Sequence, residues 1–292
     1  MKNFILVGAA GYIAPQHFKA IKNTKNNLLA AYDIAQNVGV IDSFFPEAKF
    51  FFNFLEFKKY LNKNSKKIDY LVICTPNYLH FKFISLAIKY NLNVICEKPL
   101  VLNIKQLKAL KKKINSFKKE IYCILQLRLN KNLIKLRSKL NSKRNIIAKV
   151  DYITYRGEWF FKSWKGNQNK SGGLATNIGI HLFDILVWLF GEVINIKVTQ
   201  KNRNFIRGIL YFQRNNKVNF RISLRKKDLR KFEKKKNFFR LLTINKKKIE
   251  FSDKFKELHT ESYKNILKGK GFKIIDVESS LEICHKINSF RI

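Results

Sequence analysis

The chain has 292 residues, of which 46% are hydrophobic and 27% are charged. This length and composition predict about two globular domains and exclude an extended disordered chain. The formal net charge of +39 would by itself favour a nucleic-acid or anionic-membrane partner. However, the charge is mostly lysine spread along the chain, together with many Asn, Ile and Phe, whose codons are also rich in A and T. We therefore interpret the excess as a solvated lysine surface and predict no nucleic-acid partner.

The sequence predicts neither a membrane span nor a metal site. The segment Ile178–Phe190 is apolar but shorter than the roughly 18 residues that a span needs. Met1–Ala14 resembles a signal peptide, but the strand–helix alternation that follows it favours a first buried strand. The four cysteines are far apart and form no CxxC pair. We expect a cytoplasmic protein without membrane insertion or a bound metal.

Through about residue 126, short apolar runs alternate with amphipathic stretches, a pattern typical of a parallel sheet with helices on both faces. The apolar runs lack polar alternation, as expected for strands buried on both faces. The predicted strands are Asn3–Val7, Leu28–Tyr32, Tyr70–Cys74, Asn93–Cys96 and Tyr122–Gln126, and the predicted helices are Pro15–Lys22, Phe54–Leu61, Leu79–Tyr90 and Ile104–Phe117. Residues 1–126 are therefore predicted to form a Rossmann-type, doubly wound α/β domain.

The pattern changes after residue 126. The predicted strands are Val150–Trp159, Asn195–Gln200, Ile206–Phe212, Val218–Leu224 and Phe238–Ile244, and the predicted helices are Asn177–Leu189, Leu258–Leu267 and Val277–Phe290. These elements predict an α+β domain over residues 127–292, built on a mostly antiparallel sheet. We expect this domain to bind the substrate and to form subunit contacts, with the C-terminal helix able to pack back on the first domain.

A glycine-containing turn follows the first predicted strand and precedes a helix. Such a turn lets backbone N–H groups approach a pyrophosphate at the helix N-terminus. Asp33 lies at the end of the second strand, where a carboxylate can accept hydrogen bonds from ribose hydroxyls and would repel a ribose phosphate. This arrangement favours NAD over NADP; Asp33 could instead be a turn residue that caps its strand. The predicted cofactor-binding residues here are Gly8, Gly11, Tyr12, Ile13, Ala14 and Asp33.

Other candidate cofactor ligands lie at the carboxyl ends of later strands, the edge where parallel sheets bind ligands. They are Thr75, Pro76, Asn77, His80, Glu97, Lys98 and Gln126. Two of them have simpler interpretations, since Asn77 could be a helix N-cap and His80 a first-turn helix residue without a ligand role.

Glu97-Lys98-Pro99 follows a predicted apolar strand. The ammonium group of a lysine at this position can polarise or deprotonate a substrate hydroxyl. In a chain this rich in lysine, a surface lysine is the alternative. Further along, Asn177 and His181 are one helical turn apart. Histidine titrates near neutrality and suits proton transfer from a hydroxyl; a core histidine satisfied by one hydrogen bond is the alternative.

These stretches, in this order, resemble the Gfo/Idh/MocA oxidoreductases over essentially the whole chain. The most specific marks are Glu97-Lys98-Pro99 and Gly172-Gly173 followed by Asn177 and His181. The resemblance implies that Lys98 and His181 are catalytic and flank the reacting sugar carbon. The family usually has an aspartate where this chain has Asn177, so the resemblance implies an orienting role for this amide.

A narrower similarity, to the WlbA-type UDP-sugar 3-dehydrogenases, comes from the stretches GAAGYIAPQH (Gly8–His17), QLRL (Gln126–Leu129), Tyr152–Trp164 and SGGLATNIGIHLFD (Ser171–Asp184). It implies NAD-dependent oxidation of the 3-hydroxyl of UDP-N-acetyl-2-amino-2-deoxy-D-glucuronate to a 3-keto sugar for surface polysaccharide (lipopolysaccharide O-antigen) synthesis. It also implies a tightly held NAD and a homotetramer.

A substrate with a diphosphate and a carboxylate requires cationic partners. Arg156 and Lys165 precede His181 in a loop-rich stretch, and the planar guanidinium is the better carboxylate ligand. Either residue could instead cover apolar surface. The predicted substrate-binding residues are Lys98, Arg156, Lys165, Asn177 and His181. The alternatives for the whole protein are a dehydrogenase of a free sugar or cyclitol, and a non-catalytic basic protein that senses dinucleotides or binds nucleic acid.

Overall fold

The computed structural model describes residues 1–140, 143–232, 237–252 and 257–290. The chain divides into two compact units. The first contains Met1–Gln126 and Lys256–Val277, and the second contains Leu127–Phe255 and Glu278–Ile292. The sequence prediction placed everything after residue 126 in the second domain, so it did not foresee that Lys256–Val277 belongs to the first unit.

In chain order, the strands and α-helices of the described residues are β1 (Asn3–Val7), α1 (Ala14–Asn23), β2 (Asn27–Tyr32), β3 (Lys49–Phe51), α2 (Phe54–Asn64), β4 (Tyr70–Ile73), α3 (His80–Lys89), β5 (Asn93–Cys96), α4 (Ile104–Lys113), β6 (Ile121–Cys123), α5 (Lys131–Leu140), β7 (Ile147–Thr154), α6 (Glu158–Lys162), α7 (Gln168–Ser171), α8 (Ile180–Phe190), β8 (Val193–Asn202), β9 (Phe205–Phe212), β10 (Asn216–Ser223), α9 (Lys226–Leu229), β11 (Phe238–Ile244), β12 (Lys247–Glu250), α10 (Leu258–Leu267) and α11 (Ile274–Ser289).

The first unit contains a six-stranded sheet in the order β3-β2-β1-β4-β5-β6. All of its strand pairs are parallel. The chain order reverses between β1 and β4, which is the topological switch point where doubly wound sheets bind ligands. Strand β4 is buried throughout, and β1 and β5 are buried and apolar after their first residue, Asn3 and Asn93, because helices cover both faces of such a sheet. The predicted Rossmann-type fold is confirmed.

The core of the first unit joins residues that are far apart in the sequence. Phe18 and Ile21 of α1 pack in one buried cluster with Tyr263 and Ile266 of α10. The two aromatic rings of Phe4 and Tyr263 lie 5.9 Å apart within it. Burial of side chains this large contributes about 1.5–3 kcal/mol each, which explains why α10 is part of this unit.

The second unit contains a six-stranded sheet in the order β12-β11-β7-β10-β9-β8. The pair β10–β7 is parallel, and the other pairs are antiparallel. The mostly antiparallel α+β fold predicted for the second domain is therefore confirmed. The apolar helix α8 is largely buried and is preceded by a π-helical turn at Ala175–Gly179.

Several elements differ from the sequence prediction. The strand predicted for Val150–Trp159 ends at Thr154, and Glu158–Lys162 is helical. The strand predicted to reach Gln126 ends at Cys123, and a 3₁₀ turn begins at Gln126. The prediction also missed β3, α5 and β12. Strands β3 and β12 lie at the edges of their sheets and have only three and four residues. They are therefore too short to give a clear pattern of apolar residues in the sequence.

The helical run Gln168–Phe190 has the length and apolar character of a membrane span, and 67% of its most apolar window is buried inside the protein. Core helices meet the same criterion, so this run is weak evidence for a membrane segment. Its buried carboxylate is bound by an arginine side chain. Asp184, which is 2% exposed, accepts hydrogen bonds from Arg128 Nη2 at 2.7 Å and from Arg128 Nε at 3.2 Å.

We predict that Arg128→Met lowers the free energy of unfolding by about 3–5 kcal/mol, because it leaves the Asp184 carboxylate buried without its cationic partner. Thermal and urea unfolding measure the effect. The double variant Arg128→Met/Asp184→Leu removes both charges and is expected to regain much of this loss. A single variant as stable as the wild type would contradict the prediction.

Candidate functional site

The turn between β1 and α1 is closely packed against the end of β4. Gly8 has a φ of +88°, and a Cβ atom there would lie 2.5 Å from the carbonyl carbon of Cys74 and from the amide nitrogen of Thr75. Only glycine therefore fits. No side chain caps the N-terminus of α1. Within its first turn, Ala14 N and Gln16 N donate to Gly11 O and Ile13 O and Pro15 has no N–H, so the backbone N–H groups of the glycine turn before α1 are the candidates for contact with an anion.

Asp33 lies beside this turn at the end of β2. Its Oδ2 atom accepts a hydrogen bond from Ala10 N, and its Oδ1 atom accepts one from Ala35 N, both at 2.9 Å. The carboxylate thus orders the turn, as the capping interpretation proposed. Each oxygen of an ionised carboxylate can accept a further hydrogen bond, so the contacts are compatible with ribose binding as well.

Two other predicted cofactor ligands of the first unit contain buried polar atoms. Thr75 Oγ1 and Gln126 Oε1 lack a hydrogen-bond partner among the described residues. Buried polar atoms usually have a partner, so these two atoms are suited to a ligand at the carboxyl edge of the sheet. Together with the glycine turn and Asp33, they fit a dinucleotide. Tyr12 is 93% exposed, whereas Asn77 is buried.

The imidazole of His80 is buried, with Nδ1 2.7 Å from Pro99 O and Nε2 2.8 Å from Thr75 O. Burial lowers the pKa of His80, and the bonds to these two carbonyl groups oppose the shift. Because both ring nitrogens contact backbone, His80 connects the end of β4 to the Lys98–Pro99 turn. This geometry favours the alternative without a ligand role, and contact of His80 with the cofactor stays a prediction.

Glu97 follows β5 and is almost completely buried. Its Oε1 atom lies 3.0 Å from His17 Nε2 and 3.0 Å from His259 Nε2, and Lys98 N donates to Oε2 at 3.3 Å. The hydroxyl group of Tyr263 lies 2.8 Å from His17 Nδ1. Burial alone would raise the pKa of Glu97, but the hydrogen bonds from the two histidines outweigh it and hold the pKa well below its usual range.

The second unit contains the predicted residues Asn177 and His181. Asn177 is 6% exposed and lies in the π-helical turn, whereas His181 is half-buried in the first turn of α8. Single π turns within α-helices are rare and frequent at functional sites. The two residues are thus consecutive features of one helical run, as predicted, although Asn177 is not in regular α-helix.

Arg156 and Lys165 form a cationic pair in the same unit. Burial lowers the pKa of Lys165, and the charge of Arg156 lowers it further. The Lys165 ammonium lies 4.8 Å from the ring centre of Trp159 and 5.6 Å from that of Trp164. A partly desolvated lysine beside a second cation is a suitable partner for an anionic group. Lys165 also lines a cavity of about 230 Å³ with Arg203 and Lys201.

The cluster His17, Glu97, His259 and Tyr263 was not recognised from the sequence. His259 and Tyr263 are four residues apart on a helix that was predicted correctly, so they share one face. Nothing in the sequence pattern, however, places α10 beside α1. Of these residues, only Glu97 was a predicted ligand.

The parallel sheet, the glycine turn and the buried polar atoms at its carboxyl edge are the features of a dinucleotide-binding domain. The comparisons with known proteins agree. Residues 2–123 match the model for the NAD-binding Rossmann fold of the GFO_IDH_MocA oxidoreductases, and residues 146–208 match the model for the C-terminal alpha/beta domain of that family. The chain belongs to the Gfo/Idh/MocA oxidoreductase family.

Two solved structures of one dehydrogenase are similar to this chain over its full length. The chain is 37% identical to the WlbA (WbpB) dehydrogenase from Thermus thermophilus, with 100% of this chain and 96% of that chain covered. The TM-score is 0.94 to its complex with NAD and alpha-ketoglutarate and 0.93 to its complex with NAD and UDP-GlcNAcA.

Curated relatives are more distant. Glucose-6-phosphate 3-dehydrogenase of Bacillus subtilis is 24% identical over 65% of this chain. The matches to the first three curated relatives span 31%, 54% and 37% of the lengths of those proteins.

We predict that Asp33→Ala weakens NAD binding by about tenfold to a hundredfold, because it removes an acceptor for the ribose hydroxyls and for Ala10 N. Calorimetric titration of NAD into protein stripped of nucleotide measures the change. Asp42→Ala, which removes an exposed carboxylate from the same unit, is the matched control and should bind NAD normally. If the Asp33 variant retains wild-type affinity, the proposed ribose contact is wrong.

Proposed function

We propose that this protein oxidises the 3-hydroxyl group of UDP-N-acetyl-2-amino-2-deoxy-D-glucuronate to a ketone. The main support is the 37% identity, over the full length of the chain, to a dehydrogenase solved with NAD and UDP-GlcNAcA. The cationic pair Arg156 and Lys165 adds support, because this substrate contains a diphosphate and a carboxylate.

In this proposal, Lys98 and His181 are the two candidates for the base that removes the proton of the 3-hydroxyl group. NAD, when bound, supplies the acceptor for the hydride that leaves the carbon bearing this hydroxyl group. The imidazole of His181 is partly exposed and can release the proton to water after accepting it. The ammonium of Lys98, which follows Glu97 at the carboxyl edge of the sheet, can hydrogen-bond the same hydroxyl oxygen and polarise it.

Asn177 occupies the position where the family usually has an aspartate. Its amide can donate and accept hydrogen bonds but cannot take up a proton at neutral pH. We therefore assign it an orienting role toward the substrate or Lys98. A relay of three proton-carrying residues is not part of this proposal.

The reduced cofactor must be reoxidised before the next turnover. The Thermus thermophilus dehydrogenase was solved with NAD and alpha-ketoglutarate, and we propose a keto acid as the second substrate here. We also propose that the protein is a cytoplasmic homotetramer serving lipopolysaccharide O-antigen synthesis. These last proposals rest on the resemblance to WlbA-type enzymes.

We expect His181→Asn to lower kcat by about two to four orders of magnitude, the usual range for loss of an acid–base group, with folding preserved. Stopped-flow detection of NADH formed from the UDP-uronate measures hydride transfer directly. His285→Asn, at an exposed histidine of α11, is the matched control. Near-wild-type turnover of the His181 variant would remove this residue from the mechanism.

The cationic pair allows a test of substrate class. We expect Arg156→Met and Lys165→Met each to raise KM for the UDP-uronate by about tenfold, because each loses a charge-assisted hydrogen bond. UDP-N-acetylglucosamine, which lacks the carboxylate, separates carboxylate contacts from diphosphate contacts. An enzyme specific for a free sugar or cyclitol would ignore UDP and would show equal KM values in the variants and the wild type.

A further inference from the structure

The buried cluster around Glu97 has a defined distribution of protons. An ionised carboxylate can only accept hydrogen bonds, and the pKa of Glu97 lies well below its usual range. Each histidine therefore carries its proton on Nε2, which lies 3.0 Å from Glu97 Oε1. Tyr263 then donates its hydroxyl proton to His17 Nδ1 at 2.8 Å.

His259 agrees with this assignment. Its Nδ1 atom is buried and has no hydrogen-bond partner among the described residues. A proton on Nδ1 would be an unsatisfied buried donor, whereas a neutral ring protonated on Nε2 leaves only an unused acceptor. Burial lowers the pKa of His17, despite the opposing bond to Glu97. The cluster thus consists of one carboxylate oxygen that accepts a hydrogen bond from Nε2 of each of two imidazoles.

We propose that His17 and His259 are positioning residues for the oxidation. By donating to one oxygen of Glu97, they keep this carboxylate ionised and fixed in place. The other oxygen accepts the backbone N–H of Lys98, and so the cluster holds the residue that polarises the substrate hydroxyl. This inference rests on the role of Lys98 in the proposed function.

The groups that face Glu97 come from several elements. They are His17 on α1, His259 and Tyr263 on α10, His80 on α3, Cys74 and Cys96 at the ends of β4 and β5, and Lys98. Of these, only the two Nε2 donors and Lys98 N hydrogen-bond the carboxylate within the described part of the chain. Removing one histidine donor must therefore raise the pKa of Glu97.

The same three side chains could also hold a metal ion, because their ligand atoms lie within 4.8 Å of one another. The hydrogen-bond interpretation accounts for both N–O distances and for the Tyr263 contact without an ion. The metal content of the purified protein separates the two interpretations.

The test compares the wild type with His259→Leu, which removes the donor, and His259→Gln, which restores a side-chain N–H. Infrared difference spectroscopy follows the carboxylic-acid C=O band of Glu97, assigned with Glu97→Gln, across pH. In His259→Leu we expect the midpoint of protonation to rise by about one to two pH units. We expect kcat to gain an acidic limb at the same pH, with KM for NAD unchanged. His259→Gln should reverse both effects, and His285→Leu should show neither.

Three results would overturn the proposal. The first is an unchanged protonation midpoint in His259→Leu. The second is a kcat reduced by the same factor at every pH and not rescued by His259→Gln, which would indicate a structural role alone. The third is a stoichiometric metal ion whose removal by a chelator abolishes activity and whose return restores it.

The test still gives an answer if the variant does not fold or if the proposed function fails. If His259→Leu does not fold, Tyr263→Phe removes only the hydroxyl that fixes the His17 tautomer, and we expect a smaller rise of the same midpoint. An unchanged midpoint in that variant also contradicts the proposal. If the wild type does not oxidise the UDP-uronate, the proposed function fails, while the infrared midpoint still decides whether the histidines hold Glu97 ionised.

Discussion

The close approach of the chain at Gly8 to the end of β4 determines much of the first unit. A Cβ atom at this position would overlap the backbone of Cys74 and Thr75, so the turn can form only without a side chain. The turn fixes where α1 begins, and α1 carries His17 to the end of β5. There His17 meets Glu97, and α10 completes the cluster with His259. One steric constraint between adjacent parallel strands thus links the helix that follows the glycine turn to the carboxylate that precedes Lys98.

The buried polar groups fall into two kinds. Glu97 and Asp184 are fully bound by partners within their own units, which is the normal condition for a buried charge. Thr75 Oγ1 and Gln126 Oε1 have no partner in the described residues, and burial and the charge of Arg156 lower the pKa of Lys165. The first kind stabilises and orients the scaffold. The second kind is costly for the protein alone, and such groups are expected where a ligand supplies the missing contacts.

The sequence allowed the fold and most elements of the first unit to be predicted, because strands buried on both faces and amphipathic helices give strong local patterns. It also identified the residues at the ends of these strands, since Gly8, Asp33, Thr75 and Glu97 follow apolar runs directly. The Glu97 cluster could not be predicted, because it depends on α10 packing against α1 across more than two hundred residues of sequence. Local pattern likewise failed at Val150–Trp159, where alternating aromatic residues continue past the end of β7 into a helix. There the tertiary structure outweighs β-propensity.

Two buried acids, Asp184 and Glu97, are hydrogen-bonded to neighbouring side chains, and this affects where the proton of the substrate hydroxyl can go in the proposed reaction. Asp184 follows His181 by three residues on α8, on a neighbouring position of the helix surface. Its carboxylate accepts three hydrogen bonds from Arg128 and is therefore committed to that ion pair. Asn177, four residues before His181, cannot take up a proton. In the proposed reaction, the partly exposed ring of His181 can exchange its proton with water. In the first unit, Glu97 accepts hydrogen bonds from both histidines and from Lys98 N, and in the proposed mechanism it orients Lys98.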